Sequence, residues 1–156
     1  MIKIVSGGQT GVDRGALDAA LDVGAPCGGW CPPGRKAEDG RIPLRYPLQE
    51  MPTGNYRQRT RRNVEQSDAT LIFHFGELEG GTLETENFCR QQAKPHLVVD
   101  VGTTDLGSAV REIIGFITDV QVETLNVAGP RASKQPQAAE LTRQIIRAVL
   151  QKFHDL

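Results

Sequence analysis

Apolar residues follow two alternating rhythms along the chain. Short, nearly unbroken runs at 2–5, 69–75, 96–101 and 122–127 predict strands, because a strand covered on both faces has no polar side to show. Between them, apolar positions three and four apart predict helices over 12–23, 55–66, 83–92, 106–117 and 136–153. In the last helix Ala138, Leu141, Ile145, Ile146, Val149, Leu150 and Phe153 form one stripe, and Pro136 suits its first position. Residues 27–31, Cys-Gly-Gly-Trp-Cys, read as a short strand or a strand end. Glu123 and Asn126 mark the 122–127 strand as the less central one. Strand and helix alternating throughout predict an α/β protein: a three-layer Rossmann-like fold, with an open parallel sheet flanked by helices on both faces. The expected layout is one domain over 1–156. In such sheets ligands bind beyond the carboxyl ends of the strands.

Glycine turns stand at those ends. Ser6-Gly7-Gly8-Gln9-Thr10-Gly11 joins the first strand to the first helix. The amides of Gly8 to Gly11 then lie at a helix N-terminus, a place that favours phosphate or another oxyanion. Thr10, with Asp13 three residues on, is expected to cap that helix. Asp13 could instead accept from a sugar or pterin N–H. The turn is neither G-x-G-x-x-G nor a P-loop. Gly80-Gly81-Thr82 repeats the arrangement, with Thr82 as the expected N-cap. A third turn, 128–133, carries Arg131, which can point at whatever the first two hold.

Two further stretches bear on chemistry. Residues 32–47 hold too many prolines and glycines for an element interior, and their charges include Arg35. A segment this long is read as a wall or lid over the site. The 55–66 helix carries Arg57, Arg59, Arg61 and Arg62. These either form a solvated face paired with Glu65 and Asp68 or recognise an anion through forked hydrogen bonds. Trp30 either caps the core or stacks on a flat ring.

Composition narrows the choice. At 156 residues and 38% hydrophobic content the chain can bury a core. A net charge of −1 argues against nucleic-acid binding by bulk charge. No secretory signal pattern and no run of membrane-span length is present, so the chain reads as soluble and cytoplasmic. Three cysteines, Cys27, Cys31 and Cys89, argue against a disulfide framework. No structural metal is expected, although Cys31 at a strand end leaves open one soft ligand for a bound metal cofactor.

Taken together, Ser6-Gly7-Gly8-Gln9-Thr10-Gly11-Val12-Asp13-Arg14, Gly28-Gly29-Trp30-Cys31-Pro32, Ala37-Glu38-Asp39-Gly40, Asn63-Val64, Ser67-Asp68-Ala69-Thr70-Leu71 and Leu125-Asn126-Val127-Ala128-Gly129-Pro130-Arg131 resemble the molybdenum carrier family, a circularly permuted branch of the Rossmann-like LOG superfamily. The resemblance spans nearly the whole chain. It implies a carrier for molybdenum cofactor (molybdopterin) or another phosphorylated, nucleotide-like small molecule, with molybdoenzymes as acceptors and a homo-oligomeric state. LOG enzymes cleave nucleoside monophosphates with an Arg ahead of a strand and a Gly-Gly-x-Gly-Thr-x-x-Glu motif after it. Arg59 and Gly81-Thr82 match, but Thr85 holds the place of the catalytic Glu. Threonine cannot act as a carboxylate base. The expected ligand-binding set is therefore Gly7, Gly8, Gln9, Thr10, Gly11, Asp13, Trp30, Arg35, Arg59, Gly80, Gly81, Thr82 and Arg131, with no catalytic residue. The alternatives are a phosphoribohydrolase using Asp13, Glu84 or Glu86 as a displaced acid, and a nucleotide-sensing module.

Overall fold

The computed structural model describes residues 1–76, 78 and 80–154. Glu77 and Glu79, in the turn before Gly80, lie outside the described residues, as do Asp155 and Leu156. In chain order the elements are β1 (Lys3–Val5), α1 (Val12–Val23), β2 (Cys27–Gly28), β3 (Trp30–Cys31), a 3-10 turn at Pro33–Arg35, β4 (Lys36–Ala37), β5 (Gly40–Arg41), β6 (Gln49–Glu50), α2 (Tyr56–Glu65), β7 (Ala69–His74), α3 (Gly80–Gln91), β8 (His96–Asp100), α4 (Leu106–Val120), β9 (Thr124–Ala128) and α5 (Ala138–His154). Five strands form a parallel sheet in the order β2-β1-β9-β7-β8, and β3–β6 and β4–β5 make two small separate ladders.

The layers follow from side-chain alternation in β7. Leu71 and Phe73 join the main core, which α1, α4 and α5 supply with Ala16, Ala20, Ile113, Ile117, Ile146 and Leu150. Thr70 and Ile72 face the opposite side, where Val64 of α2 meets Phe88 and Cys89 of α3. The result is the three-layer, Rossmann-like α/β arrangement expected from the pattern.

One strand is misplaced by sequence reasoning. The last strand, expected to be peripheral, is β9, and it sits at the centre between β1 and β7. Its polar residues are satisfied where they stand. Asn126 donates from Nδ2 to Thr70 Oγ1 at 3.3 Å. Glu123 lies ahead of the strand, and its amide and that of Thr124 donate to Asp68 Oδ2 at 2.9 and 2.8 Å. These two donors hold the Asp68 carboxyl below the usual range. Asp68 is thus a clamp on β9, not a partner for the arginines.

Helix boundaries differ in ways that matter at the site. Helix α3 begins at Gly80, three residues earlier than expected, so Thr82 lies inside the helix instead of capping it. Helix α1 is not capped by Thr10 either. Its N-cap is Gly11 at φ 83, a left-handed conformation that glycine adopts without steric cost, and no side chain caps it. Pro136 precedes α5, where Ala138 donates to the Gln135 carbonyl at 3.0 Å.

The 32–47 excursion has a core of its own. Ile42 and Tyr46 are buried against Leu17 and Cys31. Tyr46 donates from its hydroxyl to Asp18 at 2.7 Å. Arg35 holds the turn from inside, donating to the carbonyls of Ile42, Pro43, Tyr46 and Leu48 at 3.1, 2.7, 2.8 and 3.4 Å.

Candidate functional site

The carboxyl ends of β1 and β9 open into a polar pocket that α2 and the start of α3 close over. Asn55 makes this possible. Its Oδ1 accepts from the amides of Arg57 and Gln58 at 2.9 and 3.2 Å and so starts α2 where Tyr56 and Arg59 share a face. The pocket is lined by Gly7, Gln9 and Asp13 from the first turn and by Tyr56, Arg59, Thr60 and Asn63 from α2. Gly81, Thr82 and Thr85 come from α3, and Asn126 to Gly129 and Arg131 from β9 and beyond.

Arg59 is the centre of this arrangement. It is 4% exposed. Its Nη1 donates to the Gly7 carbonyl at 3.2 Å and lies 4.0 Å from Asp13 Oδ2. Its guanidinium stacks 4.4 Å over the Tyr56 ring, and that of Arg131 approaches the same ring at 5.6 Å. The buried Arg59 Nε has no hydrogen-bond partner among the described residues. A Cβ at Gly7 would fall where the guanidinium lies, so a side chain there displaces Arg59.

Asp13 stands opposite. It is 8% exposed, and its Oδ2 accepts from the Gln9 amide at 3.2 Å. Burial pushes its pKa up to about 6, while Arg59, the Gln9 amide, Arg131 and Arg14 pull the other way. The Gly8 amide is also taken, by Ser6 Oγ at 3.3 Å. Two amides expected to cradle an oxyanion are therefore satisfied internally, and a carboxylate of the chain itself occupies that turn. The cations of the pocket are not in the glycine turn but on α2, as Arg59, and after β9, as Arg131.

The remaining expected site residues divide. Gly7, Gln9, Asp13, Arg59, Gly81, Thr82 and Arg131 line the pocket, and Gly80 lines a lobe beside it. Gly8 packs against Leu48 and Gly11 against Pro130. Thr10 donates to Glu38 and accepts from the Ala132 amide at 3.2 Å. Glu38 accepts in turn from the Ser133 hydroxyl at 2.6 Å, and these bonds depress its pKa. Thr10 thus ties the β4–β5 hairpin to the 131–133 turn. Arg35 is not brought to the pocket, because its guanidinium is committed to the loop carbonyls. Trp30 is not brought there either: Arg62 lies 4.5 Å over its ring, and its Nε1 donates to Gln66 Oε1 at 2.9 Å.

The other arginines of α2 serve the surface. Arg57 pairs with Glu84 at 2.5 Å and Arg61 with Glu65 at 3.5 Å. Glu86 pairs with Arg90 and His96 at 3.6 and 3.3 Å. Of the three acids considered as replacements for the missing Glu, only Asp13 lines the pocket. Thr85, buried in it, donates its hydroxyl to the Gly81 carbonyl at 2.9 Å. Burial raises the pKa of all three cysteines, and none lines the pocket.

Sequence reasoning missed Tyr56, the ring on which Arg59 stacks and which Arg131 approaches. Its spacing of three from Arg59 was the available signal. It also missed Asn63, whose Oδ1 accepts from the Trp30 amide at 2.9 Å and whose Nδ2 donates to the Trp30 carbonyl at 3.1 Å. That double bond to backbone positions α2 over the pocket.

Two lobes extend from the centre. One, of about 300 Å³, runs past His74 and Phe75 to Pro130 and Gln135. The other, of about 230 Å³, lies between Gln9, Pro32, Lys36 and Asn55. No helix among the described residues is long and apolar enough to cross a membrane.

Comparison with known proteins bears on this geometry. A family model described as the circularly permutated YpsA SLOG family matches residues 4–150. A crystal structure from Syntrophus aciditrophicus SB is 45% identical in sequence and superimposes with a TM-score of 0.93, covering 96% of this chain and 95% of its own. Its name provisionally assigns that protein as a molybdenum carrier. A search of curated proteins gives no match.

Proposed function

We propose that this chain, which belongs to the circularly permutated YpsA SLOG family, is a carrier that holds a phosphorylated, ring-bearing ligand of the molybdenum-cofactor kind and releases it unchanged. The observation that carries the reading is Arg59, buried in a pocket at the strand ends with an unpaired Nε. A buried guanidinium N–H without an acceptor is costly, and a phosphate oxygen is an acceptor that suits it. Arg131 adds a second cation from the mouth, the first turn of α3 adds the positive end of a helix, and Tyr56 offers a flat face. The similar structure from Syntrophus aciditrophicus SB supports the choice of cargo through its name. Molybdoenzymes as acceptors, a cytoplasmic setting and self-association belong to the same reading.

Retention and release need no bond to form or break. Asp13 sets the charge balance. An anion arriving beside Arg59 opposes the ionised form of Asp13, so binding draws a proton onto that carboxyl. The test is thermal unfolding with excess molybdenum cofactor and, separately, excess adenosine monophosphate. A ligand at about 100 times its Kd adds roughly 2.7 kcal/mol, a shift of several degrees. A shift with the cofactor that Arg59→Ala abolishes is the expected result; no shift with either ligand overturns the reading.

One observation favours a second reading. Asp13 is a buried carboxyl with a pKa near 6, a value that suits a general acid. It could replace the glutamate that Thr85 lacks, making the chain a nucleoside monophosphate phosphoribohydrolase. Release of free base from adenosine monophosphate, lost in Asp13→Asn, would select this reading over the carrier.

A further inference from the structure

We infer that the ligand is two-headed: a flat heterocycle at one end, a phosphate or pyrophosphate in the middle, and a second polar group at the other end. This rests on the anion-binding reading above and goes beyond it.

The buried centre is small. It has room for about 30 Å³, little more than one water-sized group such as a single oxyanion oxygen. The volume lies in the two lobes, of about 300 and 230 Å³. Pockets for whole small-molecule ligands hold about 300–1,000 Å³, so each lobe alone is at or below the lower end and the pair falls within it. The two lobes share Tyr56 and Arg131 and otherwise diverge to different parts of the fold. A molecule anchored by its phosphate at Arg59 and Arg131 can therefore send one substituent each way. A single-headed ligand would fill one lobe and leave the other to water.

The lobes differ in chemistry. The larger is walled by Phe75 and the His74 ring, whose shielded Nδ1 has no hydrogen-bond partner among the described residues. An aromatic wall suits the face of a flat heterocycle. The smaller lobe adds Lys36, Asn55 and the Glu38 carboxylate to the shared Tyr56 and Arg131, and suits a sugar, whose hydroxyls both donate and accept. The 32–47 loop contributes to this second lobe, anchored there by Arg35 and by the Thr10–Glu38 link.

Calorimetric titration of the full chain with adenosine monophosphate and with diadenosine diphosphate tests the inference. The two-headed probe is expected to bind at least tenfold more tightly. Lys36→Ala, a change at an exposed side chain, is expected to remove most of that excess, weakening the two-headed probe several-fold more than adenosine monophosphate. Phe75→Leu, which keeps an apolar side chain and removes the ring, is expected to weaken both probes alike. Equal affinities for the two probes, or an excess that survives Lys36→Ala, overturns the two-headed ligand while the anion site stands. If neither probe binds, and inorganic phosphate likewise gives no Arg59-dependent shift in Tm, the anion site itself fails and the inference with it.

Discussion

The Gly7 carbonyl accepts from Arg59 Nη1 at 3.2 Å, across 52 positions of sequence. This contact seats α2 on the end of β1 and puts a buried guanidinium at the strand ends. A side chain at position 7 would fill the space that the guanidinium occupies.

Gly7→Ala is therefore expected to displace Arg59 and cost about 1–3 kcal/mol, as overpacking does. Chemical denaturation should show the midpoint falling. Ligand affinity should fall further than the stability loss alone accounts for, because the anchor itself has moved. A variant with unchanged stability and affinity would remove the Gly7–Arg59 contact from the argument.

Arg59→Ala is expected to weaken binding of the phosphorylated ligand tenfold or more, corresponding to a charged hydrogen bond of about 1.5–3 kcal/mol. Arg59→Lys should restore only part, because an ammonium keeps the charge and loses the fork. Titration calorimetry on the three proteins reads this directly, and equal affinities would place the anion elsewhere.

Asp13 links stability to pH with a definite sign. Its pKa is about 6 in the folded protein against 3.8 ordinarily. Above about pH 6 the native state carries an ionised buried carboxylate at a cost, and this cost disappears as pH falls from about 6 toward 3.8. Asp13→Asn should thus stabilise the protein at pH 7.5 by about 1–3 kcal/mol. The difference between the two proteins should shrink toward pH 4. Melting curves across that range check the sign, and a variant less stable at pH 7.5 would contradict it. Anion affinity of the unsubstituted protein should rise as pH drops through 6, and the variant should show a flatter profile.

Arg35→Ala should destabilise by about 2–4 kcal/mol, because it leaves several loop carbonyls without a buried donor. Adenosine monophosphate affinity measured on the folded fraction should stay within about threefold, since a charged contact to the phosphate would be worth more than that. A tenfold loss with intact stability would instead make Arg35 a ligand contact.

The pattern of the chain already contained the α/β class, the parallel sheet and the expectation of a candidate site at the carboxyl ends of strands. Those are consequences of local periodicity: β7 reads as a strand because Leu71, Ile72 and Phe73 are buried on both sides. The motifs likewise made family membership legible, because residues such as Gly7, Asp13 and Arg59 stand at recognisable spacings. Strand order was another matter. Asn126 made β9 look peripheral, and only its pairing with Thr70, 56 residues away, shows how a polar residue can sit in the central strand. The same holds for side-chain roles. Arg35 and Arg59 look alike along the chain, yet one is wrapped by the carbonyls of its own loop and the other lies unpaired at Nε beside Asp13. Periodicity determines which residues turn inward, because it depends on neighbours three or four positions away. What an inward-facing polar group meets there depends on contacts between distant segments, and these only the tertiary structure decides.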